Sequence, residues 1–456
     1  MSRLTISTHP VRVEVVQVRT PDLGDHSYVA IVGDRAVVID PQRDIERMTD
    51  ALGATTLLAV LETHIHNDYV TGGHLLAQDL GAAYVLPADS GATIDHTPIV
   101  DGDEVPIGDG WLIRAVHTPG HTPNHTSYEL VGPGGPAAVF SGGSMLVGAV
   151  GRSDLLGPDL TEMLARMQFR SVNMLAELLP GPTLVAPTHG AGSFCSASDV
   201  ADTTSTIDLE RGRNPALLES DEDTFVRTQI GNYRLHPAYY AHMGPSNLIG
   251  VGAIDAAPPK ELAPADLDGI DAEIIDLRSA AEWSAGHVPG SLCVPLRDDT
   301  AQYIGWVLPW NRDIVLVGAP DQVAQARLQL ARIGYDAVAG AVTDGLAAWR
   351  VEGRGLDTAR IVGFESLVSE APDVVVDVRD PLEFGDGHFA EAIDMHVSRF
   401  ASEDVPGEPG DEVWLYCATG YRATVAAGFV ERSGRNPVIV FDNWDERGRR
   451  LAAQES

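Results

Sequence analysis

The sequence predicts an α/β protein built from several domains. At 456 residues the chain is longer than one ordinary domain, and two to four domains are expected. Short apolar runs alternate with helix-like segments along much of the chain, which is the order of elements in an α/β fold. The second half also contains an internal repeat, in which one motif returns 101 residues later. A repeat of about 100 residues indicates two copies of one domain rather than a solenoid.

The first 60 or so residues predict a run of strands. Apolar runs separated by turns place these strands at 11–18, 28–32, 36–39 and 56–61, with a hairpin turn at Gly33-Asp34. The last run leads directly into Thr63-His64-Ile65-His66-Asn67-Asp68-Tyr69, and a helix is predicted over 71–80. The histidine-rich segment therefore lies between a strand and a helix, where ligands collect in α/β folds.

Further along, helical patterns cover about 158–180 and 199–243, and Ala256-Ala257-Pro258-Pro259 has the composition of a linker. We expect three domains, at 1–255, 262–356 and 360–456.

The repeat consists of matching charged and glycine positions. One copy has Asp276-Leu277-Arg278 with Glu282, Gly286 and His287, and the other has Asp377-Val378-Arg379 with Glu383, Gly387 and His388. Each copy shows the order strand, helix, strand, helix. This order predicts two doubly wound parallel sheets.

The second copy contains the segment Cys417-Ala418-Thr419-Gly420-Tyr421-Arg422, after a predicted strand at 413–416 and before a helix from about residue 423. A cysteine in a strand–loop–helix unit faces the helix N-terminus and the loop N–H groups, which stabilise an anion on sulfur. Arg422 adds a fixed positive charge. Cys417 and Arg422 are the predicted catalytic residues, and Ala418, Thr419, Gly420 and Tyr421 form the loop around the sulfur.

Residues 372–450 resemble a rhodanese domain. In that family the cysteine takes a sulfur atom from a donor, holds it as a persulfide and passes it to a thiol or another nucleophile. Related cysteine-dependent phosphatases place one more residue between cysteine and arginine, so the four residues between Cys417 and Arg422 favour sulfur over phosphate. The resemblance implies a sulfurtransferase whose partners are thiosulfate and low-molecular-weight thiols and persulfides.

The first copy keeps the repeat motif but lacks the reactive residues. Aligning the strands places Gly318 opposite Cys417 and Val323 opposite Arg422, so neither a nucleophile nor an anion-binding arginine is present. We interpret this copy as an inactive rhodanese-like domain. Cys293 lies away from the loop position, and we expect it to pack in the core.

The N-terminal region contains a metal-site pattern. Its parts are His64-Ile65-His66-Asn67-Asp68, Thr118-Pro119-Gly120-His121 and Pro187-Thr188-His189, each near a predicted strand end. Imidazoles and a carboxylate that converge from separate strand ends suit Zn²⁺ or Fe²⁺. Residues 11–250 resemble the metallo-β-lactamase fold, an αββα sandwich, and in particular the branch that holds glyoxalase II and the persulfide (sulfur) dioxygenases.

The resemblance also implies a ligand set. Dioxygenases of this branch hold one Fe²⁺ with two histidines and one aspartate, which correspond here to His64, His121 and the position of Gly143. The expected aspartate is thus missing, and His66, Asp68 and His189 are further candidate ligands. Tyr69 stands where dinuclear relatives have a histidine. We expect Asp154, His125 and His74 to act by hydrogen bonding rather than as ligands.

Three functions stay open at this point. The first is a persulfide dioxygenase-like domain joined to a sulfurtransferase, with Fe²⁺ as the expected metal and Zn²⁺ as the alternative. In the second, the N-terminal domain has lost its metal and serves as a binding or assembly module. The third, a glyoxalase II-type thioester hydrolase, needs two metals, and both Tyr69 and Gly143 argue against it.

Composition limits the partners and the compartment. The formal net charge of −34 argues against nucleic acid and anionic membranes as partners. Three widely spaced cysteines form no disulfide framework and suit a reducing cytoplasm. Neither a signal peptide nor an apolar stretch long enough to span a bilayer is evident. We therefore expect a cytoplasmic protein, and a homodimer is compatible with a chain of this size.

Overall fold

A computed structural model of the chain describes residues 1–7, 11–196 and 200–455. The chain divides into two compact units. The first comprises Met1–Asp255 with Ala331–Gly334, and the second comprises Ala256–Leu330 with Tyr335–Ser456.

The first unit is rich in strands. Its strands are β1 (Ser2–Ser7), β2 (Val13–Thr20), β3 (Asp25–Val32), β4 (Arg35–Ile39), β5 (Thr56–Leu61), β6 (Ala83–Pro87), β7 (Thr97–Ile99), β8 (Glu104–Gly108), β9 (Trp111–His117), β10 (Thr126–Gly132), β11 (Gly135–Gly142), β12 (Met145–Leu146), β13 (Ala149–Val150), β14 (Leu184–Pro187) and β15 (Ser205–Thr206). Its helices are α1 (Glu46–Leu52), α2 (Gly73–Leu80), α3 (Pro158–Leu178), α4 (Ile207–Arg211), α5 (Pro215–Leu218), α6 (Glu222–Gly231) and α7 (Tyr240–Ile249).

Two sheets form the centre of this unit. One sheet has seven strands in the order β1-β2-β3-β4-β5-β6-β7, and the other has six in the order β15-β14-β11-β10-β9-β8. Alternate residues of each strand face opposite sides. On β2, Val13 and Val15 therefore join the core between the sheets, and Val16 and Val18 pack with residues of α1 and α2.

The second sheet repeats this arrangement. On β11, Phe140 enters the core between the sheets, whereas Val139 packs with residues of α3. Helices thus cover the outer face of each sheet, and the unit is an αββα sandwich. The fold class expected from the sequence is confirmed for this unit.

The second unit contains two parallel sheets. Its strands are β16 (Glu273–Asp276), β17 (Leu292–Cys293), β18 (Ile314–Val317), β19 (Val338–Val342), β20 (Arg360–Val362), β21 (Val375–Asp377), β22 (Ile393–Asp394), β23 (Glu412–Tyr416) and β24 (Asn436–Val440). Its α-helices are α8 (Ala280–Ala285), α9 (Thr300–Val307), α10 (Pro320–Arg332), α11 (Ala347–Val351), α12 (Phe364–Glu370), α13 (Pro381–Gly385), α14 (Tyr421–Arg432) and α15 (Arg449–Glu455). Short 3₁₀ turns lie at Pro264–Leu267 and Val397–Ala401, and a π turn at Trp444–Gly448.

The strand orders are those of doubly wound sheets. The first copy has the order β17-β16-β18-β19, and the second has β20-β24-β23-β21-β22. All pairings within both sheets are parallel. In the first copy the chain runs from β16 to β17 on one side and then returns to β18 on the other side of β16. The second copy does the same from β21 to β22 and back to β23. Switch points therefore lie between β16 and β18 and between β21 and β23. The predicted parallel sheets are confirmed.

Element boundaries differ from the prediction at several places. Helix α2 begins at Gly73 rather than residue 71, because Thr71 pairs with Gln42 and its hydroxyl accepts the Gly73 N–H at 2.9 Å. The predicted helical stretch at 199–243 consists of the short helices α4 to α7 where it is described, and its first residue, 199, lies outside the described residues. In the second copy, α14 begins at Tyr421 rather than residue 423.

Helices of the described ranges are all too short or too polar to cross a lipid bilayer.

One glycine is required by the packing of the two copies. A Cβ on Gly428, within α14, would lie 2.8 Å from the Ser291 carbonyl oxygen and 3.1 Å from the Leu292 Cα. An alanine in a helix normally stabilises by roughly 0.5–1 kcal/mol relative to glycine. Here the collision with backbone atoms reverses that sign.

We therefore predict that Gly428→Ala lowers the free energy of unfolding by about 1–3 kcal/mol through overpacking. The matched control is Gly385→Ala at the end of α13, where a Cβ has no atom within 4 Å. Chemical denaturation measures both variants. Equal stability of the two variants would contradict the prediction.

Candidate functional site

Four loops of the first unit meet at the ends of strands. His64 follows β5, His121 follows β9, Gly143 follows β11 and His189 follows β14. The ring centroids of His64, His121 and His189 lie 4.7, 5.2 and 5.4 Å apart in pairs. All three rings are buried. The structure thus brings together the histidines that the sequence singled out in separate motifs.

The tautomer of His64 follows from its neighbours. The Thr63 hydroxyl donates its only proton to Asp40 Oδ2 at 2.8 Å, so it accepts a hydrogen bond from His64 Nδ1 at 2.9 Å. Nδ1 therefore carries the proton. His64 Nε2 keeps its lone pair and has no hydrogen-bond partner among the described residues.

His121 and His189 are held in the same way. The Arg152 carbonyl accepts from His121 Nδ1 at 2.7 Å. His189 Nδ1 donates to Asp25 Oδ1 at 2.9 Å and lies 3.1 Å from Asp68 Oδ2. Within the part of the chain that the structure describes, Nε2 of each ring is left without a hydrogen-bond partner.

His66 is engaged through Nε2. This nitrogen lies 3.2 Å from both Asp40 Oδ1 and Glu62 Oε2, and 3.0 Å from the Tyr69 hydroxyl. The Tyr69 ring stacks on His66 with a centroid distance of 4.3 Å. Tyr69 thus fills the place where dinuclear relatives are expected to have a histidine. His66 Nδ1 is unpartnered in the described ranges.

Gly143 lies directly against the His121 ring. A Cβ at this position would be 2.2 Å from His121 Cδ2 and 2.8 Å from His121 Nε2. The Gly143 amide donates to His125 Nε2 at 2.9 Å, and His125 Nδ1 lies 2.8 Å from the Thr118 hydroxyl. Both nitrogens of His125 are therefore used in hydrogen bonds.

The remaining predicted residues lie around this centre. Asp68 is directed to His189, as described above. Asp154 forms a two-point ion pair with Arg152, at 2.6 and 2.7 Å. His74 is on α2, with its ring 6.2 Å from that of Tyr84.

Three buried carboxylates were not predicted from the sequence. Asp25, Asp40 and Glu62 each contact a histidine of the site. Asp40 directly follows β4 and has a φ of 50°, and an aspartate just after a strand is the one local signal that could have indicated it.

Burial and these carboxylates determine the protonation of the site. Burial lowers the pKa of His121 to about 3, and burial with the neighbouring imidazoles lowers the pKa of His64. Although burial opposes it, Asp40 raises the pKa of His66 to about 10, and Asp68 with Asp25 raises that of His189 to about 10. A bound cation would therefore displace protons from the last two rings.

A cavity of about 260 Å³ opens next to His64. Its wall is mainly apolar, with Ile65, Pro87 and Leu248 among its residues, and Asn67, Thr122 and Asn124 supply polar groups. Among the described residues that line it, none carries a formal charge.

The second candidate site surrounds Cys417. This residue follows β23 at the switch point of its sheet, where ligands bind in open α/β sheets. The Gly420 amide donates to Cys417 Sγ at 3.1 Å, and α14 begins at the next residue. Gly420 has a φ of +89°, and a Cβ there would lie 2.6 Å from the Phe441 ring.

The other loop residues have distinct environments. The Ala418 carbonyl accepts from the Trp444 amide at 2.9 Å, Thr419 is exposed, and the Tyr421 hydroxyl donates to the Pro295 carbonyl at 3.0 Å. Arg422 forms a two-point ion pair with Glu383, at 2.5 and 2.9 Å. An anionic substrate would therefore compete with Glu383 for Arg422.

The first copy lacks this cradle. Asp276 pairs with Val317 in one sheet and Asp377 with Tyr416 in the other, so the next residues, Gly318 and Cys417, are equivalent. Helix α10 begins two residues after Gly318, whereas α14 begins four residues after Cys417. Val323 is buried, and Cys293 is buried with its sulfur 3.8 Å from the Arg278 carbonyl oxygen.

Comparison with known proteins identifies both parts of the chain. The Rhodanese-like domain family matches residues 260–352 and 364–443. Human mitochondrial persulfide dioxygenase ETHE1 is 33% identical over 219 residues, which cover 46% of this chain and 78% of that protein. A hydroxyacylglutathione hydrolase of Gloeobacter violaceus is 30% identical over 212 residues, covering 42% of this chain and 79% of its own length.

A solved structure matches a larger share of the chain. The crystal structure of a metallo-β-lactamase from Staphylococcus aureus is 29% identical, with a TM-score of 0.66, and covers 72% of this chain and 98% of that one. The αββα sandwich and the parallel sheets agree with these relatives. The chain therefore belongs to the metallo-β-lactamase-fold family of the ETHE1 persulfide dioxygenases, carries two rhodanese-like domains after that unit, and is an enzyme of sulfur metabolism.

Proposed function

We propose that the second rhodanese-like domain is a sulfurtransferase in which Cys417 carries the sulfur. The Cys417 thiolate attacks the outer sulfur of thiosulfate or of a donor persulfide. The new S–S bond forms as the old one breaks, and sulfite or the donor thiolate leaves with the electron pair. An acceptor thiolate then takes the outer sulfur and regenerates Cys417, so no external oxidant is needed.

The hydrogen bond from the Gly420 amide to Cys417 Sγ carries this proposal. Together with the N-terminus of α14, it provides positive electrostatic potential at the sulfur in both the thiolate and the persulfide state. Arg422 supplies a charge at the edge of the loop for an anionic donor. We place this chemistry in a reducing cytoplasm, since all three cysteines are free thiols.

For the N-terminal unit we propose oxidation of the outer sulfur of a thiol persulfide by O₂. The outer sulfur gives four electrons to O₂, the S–S bond breaks, water supplies the third oxygen atom, and sulfite and the carrier thiol are released. The family relationship and the imidazole nitrogens that converge without partners among the described residues support this activity. These donors fit a divalent ion such as Fe²⁺ or Zn²⁺. Bound Fe²⁺ would supply the reaction with O₂, and the residues of the chain orient the imidazoles and exclude water from the buried pocket.

The cavity beside His64 favours a persulfide whose carrier thiol has no charged group near the sulfur. A carboxylate placed there would lose water without gaining a cationic partner among the described lining residues. The net charge of −34 adds a general repulsion of anions. Amide and hydroxyl groups of a carrier could instead bond with Asn67, Thr122 and Asn124.

The Cys417→Ser variant should lose thiosulfate:thiol transfer, because serine cannot hold a persulfide. Mass spectrometry after exposure to thiosulfate should show the gain of one sulfur atom in the parent chain and in the Cys293→Ala control. The Cys417→Ser variant should show no gain. Transfer at the parent rate by Cys417→Ser would refute the assignment.

Replacing Glu383 should strengthen the binding of anionic donors. Glu383→Gln keeps the shape of the side chain but removes the charge that holds Arg422, so the KM for thiosulfate should fall about fivefold, equivalent to ~1 kcal/mol. Glu282→Gln is the matched control, because Glu282 occupies the position of Glu383 in the first copy. Its carboxylate accepts a hydrogen bond from the Ser279 hydroxyl at 2.6 Å. A higher KM for Glu383→Gln would contradict the competition.

The carrier prediction can be tested with two matched persulfides. O₂ uptake on the persulfide of N-acetylcysteine amide should show a KM about fivefold below that of N-acetylcysteine, which corresponds to ~1 kcal/mol for one unpaired carboxylate. Leu248→Arg should narrow or reverse this difference, whereas Leu218→Arg, at an exposed position, should not. A parent preference for the carboxylate would overturn the prediction.

A further inference from the structure

We propose that the N-terminal unit binds its metal through an all-imidazole set, formed by His64, His66, His121 and His189, without a directly bound carboxylate. This set differs from the two histidines and one aspartate that the family resemblance implies. The inference deepens the proposed function and rests on it only in taking the bound group to be a divalent metal ion.

Each of the four rings has one nitrogen that makes no hydrogen bond to a described residue. Nε2 of His64, His121 and His189 and Nδ1 of His66 have no hydrogen-bond partner among residues 1–7, 11–196 and 200–455. All four residues are at most 1% exposed. A buried nitrogen without a partner is costly, and four of them in one place indicate a missing common ligand.

The four rings lie close together, with the His64 centroid 4.1 Å from that of His66, 4.7 Å from that of His121 and 5.4 Å from that of His189. Candidate ligand atoms of His64, His66 and His189 lie within 4.8 Å of one another, and those of His121 and His189 are within the same distance. His189 belongs to both groups and so connects the two sheets at the site. Imidazole nitrogens suit Fe²⁺, Zn²⁺, Co²⁺ and related ions.

The opposite nitrogen of every ring is already fixed by an oxygen atom. The partners are the Thr63 hydroxyl for His64, the Arg152 carbonyl for His121, Asp40 and Glu62 for His66, and Asp25 with Asp68 for His189. Such outer contacts orient metal-binding histidines and set which nitrogen is available. The protein therefore fixes the orientation of the rings before a metal binds.

The position of the expected aspartate cannot supply a carboxylate in this arrangement. The Gly143 Cα is so close to the His121 ring that even a Cβ would be 2.2 Å from His121 Cδ2. Its carbonyl oxygen is held by Gln168 Nε2 at 3.1 Å and its amide by His125. A longer side chain would have to displace His121.

Carboxyl groups instead lie behind the histidines. Asp25 and Asp68 contact the far side of His189, and Asp40 and Glu62 contact the far side of His66. Four neutral imidazole ligands would leave both positive charges of a bound divalent ion to be balanced by an anionic substrate.

Cys195 is the competing ligand. Its sulfur lies within 4.8 Å of the ligand nitrogens of His121 and His189. It is also 4.0 Å from the Tyr240 hydroxyl. Thiolate ligation would be visible in a cobalt derivative as a near-ultraviolet sulfur-to-metal band.

The first test uses the full-length chain, stripped of metal and titrated with Co²⁺ against a competing chelator. The parent should bind one Co²⁺ per chain without a sulfur-to-metal band. His189→Gln should weaken binding by more than about 100-fold, beyond the 10–100-fold typical of outer-contact variants such as Asp25→Asn. His117→Gln, at an exposed position at the end of β9, should bind as the parent does.

Two outcomes of this titration overturn the inference. The first is that His189→Gln is folded, as judged by circular dichroism, and binds Co²⁺ with an affinity within about twofold of that of the parent. The other is a sulfur-to-metal band in the parent that disappears in Cys195→Ser.

The second test restores the residue that the family resemblance implies. Gly143→Asp should weaken Co²⁺ binding at least about tenfold, because the side chain displaces His121. Gly134→Asp is the control, since a Cβ there has no atom within 4 Å. Tighter binding by Gly143→Asp would show that the site needs a carboxylate, and this would overturn the inference.

Neither test depends on turnover. If Co²⁺ binds as described but iron-loaded enzyme takes up no O₂ with any persulfide, the dioxygenase proposal fails and the ligand set stands. If O₂ uptake is retained in His189→Gln, the ligand set fails and the dioxygenase proposal stands.

Discussion

The carboxylate of Asp40 is the interaction on which the histidine pocket depends. It is buried at the end of β4, accepts hydrogen bonds from the Thr63 amide at 2.7 Å and from the Thr63 and Thr188 hydroxyls, and lies 3.2 Å from His66 Nε2. Burial opposes its charge, but His66 and these donors lower the pKa of Asp40. Because Thr63 gives its proton to Asp40, it must accept from His64. One carboxylate therefore links loops from both sheets and sets the tautomer of a ring that it does not touch.

The two rhodanese-like copies separate structural residues from reactive ones. In each copy the aspartate and arginine of the repeat form an ion pair at 2.6 Å, and the repeat histidine stacks on an aromatic ring with a centroid distance of 3.7 Å. These shared contacts are buried or half-buried, so the repeat motif reports the fold of both copies. Reactivity depends on the loop that follows β18 in the first copy and β23 in the second, where Gly318 and Cys417 are equivalent. Glu383 has an additional role in the second copy, because it pairs with Arg422 of the reactive loop.

Local patterns predicted more of the fold than of the pocket. Strand β5 was predicted with the boundaries that the structure has, because a buried apolar run next to a polar segment is a local signal. The motifs of His64, His121 and His189 were each recognisable, but their outer partners were not. Asp25 contacts His189 across 164 residues of sequence, and an isolated aspartate carries no pattern that indicates such a contact. Gly143 was recognised as a missing ligand, whereas its close approach to the His121 ring depends on tertiary packing alone.

The inactive copy has a structural reason to persist beside the active one. Helix α14, whose N-terminus faces Cys417, packs on the first copy through Gly428 and Leu292, and Glu431 near its other end lies 3.0 Å from His287. At its start, Tyr421 donates to the Pro295 carbonyl, and the Arg297 guanidinium lies 3.5 Å from the Tyr421 ring. Both ends of the helix are therefore held by residues of the first copy. Because hydrogen bonds to sulfur act only while the helix and loop keep their position, the first copy contributes to the Cys417 site without supplying a reactive group.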